Sequence, residues 1–173
     1  MTRAVRKAAL GVALAAGIVF AGCDRVRDER AAAPRPAGPD RFNAVVAEDP
    51  HGRALRFADF AGQVRVIDVW ASWCGPCRMT IPELNALYER YRRRGLVVIG
   101  VSVDDQPAAV LEFQRHIPVR YPTVMFNPPL AERIGQPASI PTTFLIDRRG
   151  VIVKTFVGYV DAATLEAEVL RLL

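Results

Sequence analysis

The feature that most constrains this chain is Cys74-Gly75-Pro76-Cys77, preceded by Trp70-Ala71-Ser72-Trp73. It lies where an apolar, strand-like run from Val64 to Val69 gives way to a helix-like one from Arg78 to Arg94. Two cysteines two residues apart at a helix start point to dithiol chemistry. Unpaired backbone N–H groups and the helix dipole favour negative charge there, so Cys74 is expected to carry a stabilised thiolate, the attacking species. Cys77, one turn further in, can close a disulfide with it and suits a resolving thiol. A purely structural bridge across two residues would constrain almost no loop and add little stability. A zinc centre needs four ligands where one pair is present, and covalent haem attachment needs a histidine where Arg78 stands. No metal is expected, and no cofactor beyond a redox-active Cys74–Cys77 disulfide.

The chain has 173 residues, room for one domain with a real core plus a leader. Its net charge of +5 invites the idea of an acidic partner, but Arg3, Arg6 and Lys7 crowd into the first seven positions. Beyond them, 20 basic side chains face 18 acidic ones. No basic stripe interleaved with aromatics appears, and a nucleic-acid partner is excluded on that ground. The densest basic run, Arg92-Arg93-Arg94, ends a helical stretch, where cations oppose the dipole favourably.

Residues 1–22 combine that basic start with an uncharged apolar run from Ala8 to Gly22. As a helix this run would reach about 22 Å, short of the roughly 30 Å hydrocarbon core, so it reads as an export signal. Phe20-Ala21-Gly22-Cys23 resembles a bacterial lipobox, with Phe20 in place of the usual leucine. Lipidation at Cys23 is the expectation; an uncleaved anchor or an ordinary cleaved signal are the alternatives, and each places the domain outside the cytoplasm. Asp24 resembles the signal that some bacteria use to keep a lipoprotein at the inner membrane. Residues 23–40 are rich in Ala, Pro, Arg and Asp with one bulky apolar residue, Val26, and are expected to be a flexible tether.

Residues 41–173 carry the pattern of a domain. Phe42 to Ala47 and Ala54 to Phe57 flank the turn Asp49-Pro50-His51-Gly52 and are predicted to form a hairpin. Val64 to Trp70, apolar apart from Arg65 and Asp68, and Leu96 to Val103 read as strands buried on both faces. Ile81, Leu84, Tyr88 and Tyr91 recur between them at helical spacing, with Gly95 as the stop. This strand–helix–strand unit predicts parallel strands with a right-handed crossover. Further on, a helix is expected from about Ala108 to His116, a short strand within Tyr121 to Phe126 and a helical turn from Pro128 to Ile134. Two antiparallel strands follow, Ile140 to Asp147 and Val151 to Val157, then a closing helix capped by Asp161 and packed through Leu165, Val169 and Leu172. The predicted fold class is α/β, a central mixed sheet with helices on both faces.

Asp68 stands in the middle of a buried strand. A carboxylate there is costly unless paired or neutral, so burial should raise its pKa. His51 and His116, the two histidines, read as surface residues. Trp70 reads as a core residue.

Val66 to Cys77 closely resembles thioredoxin, and Ile140-Pro141-Thr142 extends the match to that family's cis-proline loop. The resemblance covers residues 41–173 and includes Pro82, which matches the proline inside the active-site helix. It implies a thioredoxin-like fold and a cis Pro141 beside the cysteines. It also implies a substrate-binding surface of Trp73, Gly75, Pro76, Ile140 and Pro141, with the Ile140 backbone free to pair with a bound peptide. Asp68 matches that family's buried acid, implied to accept the proton of Cys77. The family's lysine on the next strand has no counterpart in Val97 to Val103, and Thr80 stands where many envelope relatives carry an acid.

The N-terminal hairpin and the central insertion between Cys77 and Pro141 are similar to the membrane-tethered TlpA/ResA type. This implies a thiol–disulfide oxidoreductase reducing protein disulfides in the cell envelope, on the periplasmic face of the inner membrane. Apocytochrome c would be among its partners and a membrane protein would be its electron donor. The neutral Gly75-Pro76 pair favours the reducing end of a scale running from roughly −270 mV to about −120 mV. A monomer is expected. The rival readings are a copper-binding assembly protein, which would need a histidine ligand in context, and a non-catalytic binding module.

Overall fold

Residues 40–173 are described by a computed structural model of the chain; the leader, Cys23 and all of the tether but Asp40 lie outside the described residues. Its elements are β1 (Val46–Glu48), β2 (Ala54–Arg56), β3 (Val64–Trp70), α1 (Cys77–Tyr91), β4 (Leu96–Ser102), α2 (Pro107–His116), β5 (Thr123–Met125), α3 (Pro128–Ile134), β6 (Thr142–Ile146), β7 (Ile152–Val157) and α4 (Ala162–Leu170). β1 and β2 form the expected antiparallel hairpin, apart from the main sheet. The main sheet runs β5-β4-β3-β6-β7, with β3, β4 and β5 parallel and β6 and β7 antiparallel. Among the described residues no helix is long and apolar enough to cross a membrane.

Side-chain alternation along the strands assigns the two faces. Val64 and Val66 of β3 pack with Leu84, Leu87 and Tyr91 of α1 and with Leu165 and Val169 of α4. Ile67 and Val69 point the other way, into a cluster with Phe42, Val45, Ala47 and Phe57 around the hairpin and Leu130 of α3. At the end of β3, Trp70 joins Val110 and Phe113 of α2 and Cys77 and Ile81 of α1. Thus α1, α2 and α4 cover one face, and the hairpin with α3 covers the other. Every residue of β3 and β4 is buried.

Local chemistry sets the helix ends. Pro107 opens α2 at its first turn, where a missing N–H costs nothing. Asn127 and Asp161 cap α3 and α4, their side chains accepting from the N–H groups of Leu130 and Thr164. α1 ends at Tyr91, earlier than the predicted Arg94: Arg92–Arg94 tightens into a 3-10 turn closed by Gly95 in the left-handed conformation. The predicted strand Phe42 to Ala47 shrinks to its last residues. The Asp40 side chain accepts from the N–H of Phe42 and its carbonyl from that of Asn43, which curls the chain into turns before β1.

Asp40, counted with the tether, belongs to the folded body. Its carboxylate pairs with the guanidinium of Arg65, which lies on β3 with no exposed surface and also stacks 5.3 Å from the ring of Phe42. Gly150 leaves room for this pair: a Cβ there would fall 2.0 Å from an Asp40 carboxylate oxygen, and its φ of 81° suits glycine in any case. Removing one partner of a buried ion pair strands the other charge. Asp40→Ala is therefore expected to lower unfolding free energy by about 3–5 kcal/mol in chemical denaturation. An added Arg65→Leu change should recover most of that loss, and a single variant as stable as the parent would refute the role of the pair.

Candidate redox site

The site is built where β3 hands over to α1. Pro76 occupies the cap position, and Cys77 is the first residue of the helix. Cys74 and Cys77 form a disulfide with their Cα atoms 5.3 Å apart. The backbone N–H of Cys77 donates to Cys74 Sγ at 3.2 Å, one of the helix's free N-terminal donors spent on the sulfur. Cys77 is wholly buried and Cys74 keeps 4% of its surface, so a partner meets Cys74 first. Gly75 and Pro76 are exposed beside it, and Trp73, 69% exposed, stands clear of the core. Trp70, by contrast, is fully buried, its ring centroid 4.9 Å from that of Phe113.

From the distant loop, Ile140 packs against the cluster that holds Cys74 and Cys77. The Ile140–Pro141 peptide bond is cis and immediately precedes β6, and the Pro141 carbonyl accepts from the N–H of Gly158. Trp73, the residue before Cys74, lines an open cleft of about 560 Å³ together with Asp104, Asp105, Phe126, Ser139 and Ile140. A groove with an aromatic wall and a free segment of backbone can take an extended peptide.

On the sheet face under α1 lies Asp68. It alternates with Val66 and Trp70 on the face that α1 covers, and it is fully buried. One carboxyl oxygen accepts from Thr143 Oγ1 at 3.1 Å; the other has no hydrogen-bond partner. Burial pushes its pKa from 3.8 to about 7, and the Thr143 hydroxyl offsets only part of that rise. Thr80 is buried, and its hydroxyl turns back to donate to the Pro76 carbonyl at 3.4 Å.

Several contributors were not singled out from the sequence. Asp104 accepts from the N–H and hydroxyl of Ser72 at 2.9 and 2.6 Å and from the Ser102 hydroxyl at 2.8 Å, which fixes the loop leading to Cys74. An acid just past a buried strand, opposite a serine in the motif, was the available signal. Thr143 was read only as part of a strand. His51 lies exposed in the hairpin turn, and His116, also exposed, sits 3.3 Å from Glu112 at the end of α2. Among the described residues no group of three or more His, Cys, Asp or Glu side chains could hold a metal ion.

The model of the AhpC/TSA family matches residues 39–155. The thiol-disulfide oxidoreductase ResA of Bacillus subtilis (strain 168) is 28% identical over 140 residues, which cover 81% of this chain and 73% of that one. Among solved structures, a thiol:disulfide interchange protein of the thioredoxin family from Chlorobium tepidum TLS is similar with a TM-score of 0.69 and 26% identity, over 79% of this chain and 97% of that one. A secreted thiol-disulfide isomerase from Corynebacterium glutamicum gives 0.67 at 26% identity, over 74% and 82%. With the sheet order, the cysteine pair at a helix start and a family match over more than half its length in agreement, the chain belongs to the thioredoxin-like AhpC/TSA family.

Proposed function

We propose that this chain is a thiol–disulfide oxidoreductase that works as a protein-disulfide reductase in the cell envelope, with apocytochrome c among its substrates. The observation that carries the chemistry is the pairing of a helix-start disulfide, Cys74–Cys77, with a buried carboxyl, Asp68, on the sheet face beneath the same helix. The sequence similarity to ResA supports the activity, and the similar isomerase from Corynebacterium glutamicum, a secreted protein, supports an extracytoplasmic setting. The leader at residues 1–22, the lipobox-like Cys23 and the tether support anchoring to the inner membrane.

In the reduced protein the Cys74 thiolate attacks one sulfur of a target disulfide. That S–S bond breaks, the other target sulfur leaves as thiolate, and a mixed disulfide joins Cys74 to the target. Asp68 then takes the proton of the Cys77 thiol, and the Cys77 sulfur attacks Cys74 Sγ. The second target thiolate leaves and is protonated, so the target gains two electrons and the Cys74–Cys77 disulfide is restored. A membrane electron donor returns the pair to the dithiol. The cis-Pro141 loop and Trp73 hold the target strand against Cys74, and Gly75 and Pro76 leave the sulfur accessible.

Trapping tests the substrate class. Cys77→Ser expressed in the full-length chain should accumulate envelope proteins bound to Cys74 through a bond that reductant cleaves, and Cys74→Ser should accumulate none. Recovery of no cytochrome c precursor would remove that substrate from the reading, and a protein unable to reduce insulin would remove the enzyme itself.

Asp68 gives a signed pH dependence. As the base it must be ionised, so resolution should accelerate as pH rises through about 7. Asp68→Asn should abolish that rise and slow resolution by about 10²-fold or more. The same raised pKa acts on stability in the opposite sense. The folded, protonated Asp68 is favoured at low pH, and an unfolded aspartate ionises near 3.9. Unfolding free energy of the oxidised protein should therefore fall between about pH 4 and pH 7, by on the order of 4 kcal/mol, and level off above. Asp68→Asn should flatten that slope; equal slopes in both proteins would show that Asp68 is not the group responsible.

Lipid attachment is separately checkable. Palmitate labelling should mark the mature protein and disappear with Cys23→Ser; an unlabelled mature protein would leave an anchor or a cleaved signal instead.

A further inference from the structure

Among the described residues no cation stands beside the acid of this site. On β4 the residue paired in register with Asp68 is Gly100, which has no side chain to offer. The space above Gly100 is filled from elsewhere. A Cβ built there would lie 3.0 Å from Trp70 Nε1, 3.1 Å from the ring of Tyr121 and 3.2 Å from Thr123 Oγ1. Tyr121 comes from the segment leading into β5 and is buried on the same face of the sheet as Asp68.

Three polar atoms in this small region are buried without any hydrogen-bond partner: Asp68 Oδ2, Tyr121 Oη and Trp70 Nε1. Buried polar groups are normally satisfied, and orphaned ones mark a functional or strained place. Two of the three are donors and the third is a carboxyl oxygen, so their chemistry is complementary. The carboxylate and the phenol are also close enough that negative charge on Asp68 raises the pKa of Tyr121, which burial raises further. The phenol therefore stays protonated whenever Asp68 ionises, and remains a donor.

We propose that Tyr121 is a positioning residue for the redox reaction, its hydroxyl donating a hydrogen bond to Asp68 when Asp68 takes the proton of Cys77. The assignment rests on the reading of Asp68 as base. No proton leaves the phenol. It moves from the Cys77 sulfur to the Asp68 carboxylate, and Tyr121 stabilises the ionised carboxylate that precedes the transfer. Gly100 is the residue that makes room, because a Cβ there would press on both the phenol ring and the Trp70 indole.

Beside Tyr121, the Trp70 indole N–H is the other unpartnered donor in this region. From β6 the facing group is the Thr143 hydroxyl, already bonded to the other carboxyl oxygen. α1 contributes the Cys77 thiol and a half-buried Glu83, which accepts from the Tyr159 hydroxyl through one oxygen and has its other oxygen unpartnered; its remaining charged side chains Arg78, Glu89 and Arg90 are exposed, with Glu89 paired to Arg120 and Arg90 to Glu166. On α2, Glu112, Arg115 and His116 form an exposed cluster, and on α4 Glu166 and Glu168 pair with surface cations. Arg65 lies on the opposite face of β3 with Asp40.

The test uses the full-length reduced chain with Cys23→Ser as background, so that only the active pair reports. An aromatic disulfide reagent whose thiolate absorbs visible light releases one thiolate on attack by Cys74 and a second on attack by Cys77. The second phase isolates resolution and is followed against pH in the parent, Tyr121→Phe, Asp68→Asn and the combined variant. Loss of a donor to the carboxylate disfavours its charge, so Tyr121→Phe should move the midpoint of the profile upward by about one pH unit. That shift should vanish in the Asp68→Asn background.

A carbon-13 titration of the Asp68 carboxyl in the oxidised protein should move the same way in Tyr121→Phe. Gly100→Ala, which presses on the ring, gives a second variant and should shift the profile in the same direction. A Tyr121→Phe profile that overlays the parent, while Asp68→Asn loses the pH dependence, overturns the role of Tyr121 alone. An Asp68→Asn profile that matches the parent overturns the base itself and this assignment with it.

Discussion

Burial of β3 on both faces is the constraint from which the rest of the structure follows. A strand with no solvent side must satisfy every polar side chain from inside the protein, and β3 carries two charged types, Arg65 and Asp68, pointing to opposite faces. At the start of the strand a counter-charge answers the need in part: Asp40 reaches in from the segment before the hairpin and pairs with Arg65 Nη2, while Arg65 Nε and Nη1 have no hydrogen-bond partner. Near the other end it is met only halfway, by one hydroxyl from Thr143. The first solution holds the fold together. The second leaves a carboxyl whose proton is loosely held near neutral pH, which is the property an acid–base group needs.

The reactive end depends on the same strand for its precision. Because β3 is clamped between β4 and β6, the turn after Trp70 starts from a fixed place, and the Asp104 bonds to Ser72 fix the next residue as well. The chain then has little freedom before it enters α1, so the N–H of Cys77 meets the sulfur of Cys74 rather than solvent. Anion stabilisation at a helix start is worth most when the geometry is set in advance. Here it is set by a carboxylate that takes no part in the chemistry, Asp104, in contrast to Asp68, which stays only partly satisfied.

Much of this was legible in the chain before any coordinates. Local signals carried the cysteine pair at a helix start, the antiparallel β6–β7 pair, the Asp161 cap and the burial of Asp68, because each depends on residues a few positions apart or on a run of apolar neighbours. The expected Ile140–Pro141 loop came from resemblance, not from periodicity. What stayed hidden depends on approach across the fold. Nothing near Tyr121 indicates that its ring covers Gly100, and nothing near Asp40 indicates that it meets Arg65, since both contacts exist only after strands far apart in sequence have paired. The stop of α1 at Tyr91 was misread for the opposite reason: the apolar spacing fitted, and the 3-10 tightening before Gly95 is set by hydrogen bonding that the pattern does not record.

The absence of a cation beside Asp68 has a consequence for how the two halves of the reaction are joined. A lysine neighbour would hold the carboxylate ionised through Coulomb attraction at any nearby pH. A hydroxyl or an indole N–H stabilises the same charge only through a directed bond, and contributes nothing once the carboxyl is protonated. The site is therefore sensitive to its own protonation in a way that a charged neighbour would damp. In the oxidised form, with no thiol to deprotonate, Asp68 is largely protonated below about pH 7. In the mixed-disulfide form it must give up that proton before it can take the one on Cys77. Chemistry at the buried sulfur is thus tied to a proton that has to cross the protein interior, and the polar atoms gathered over Gly100 are the groups placed to steady the carboxylate while it does.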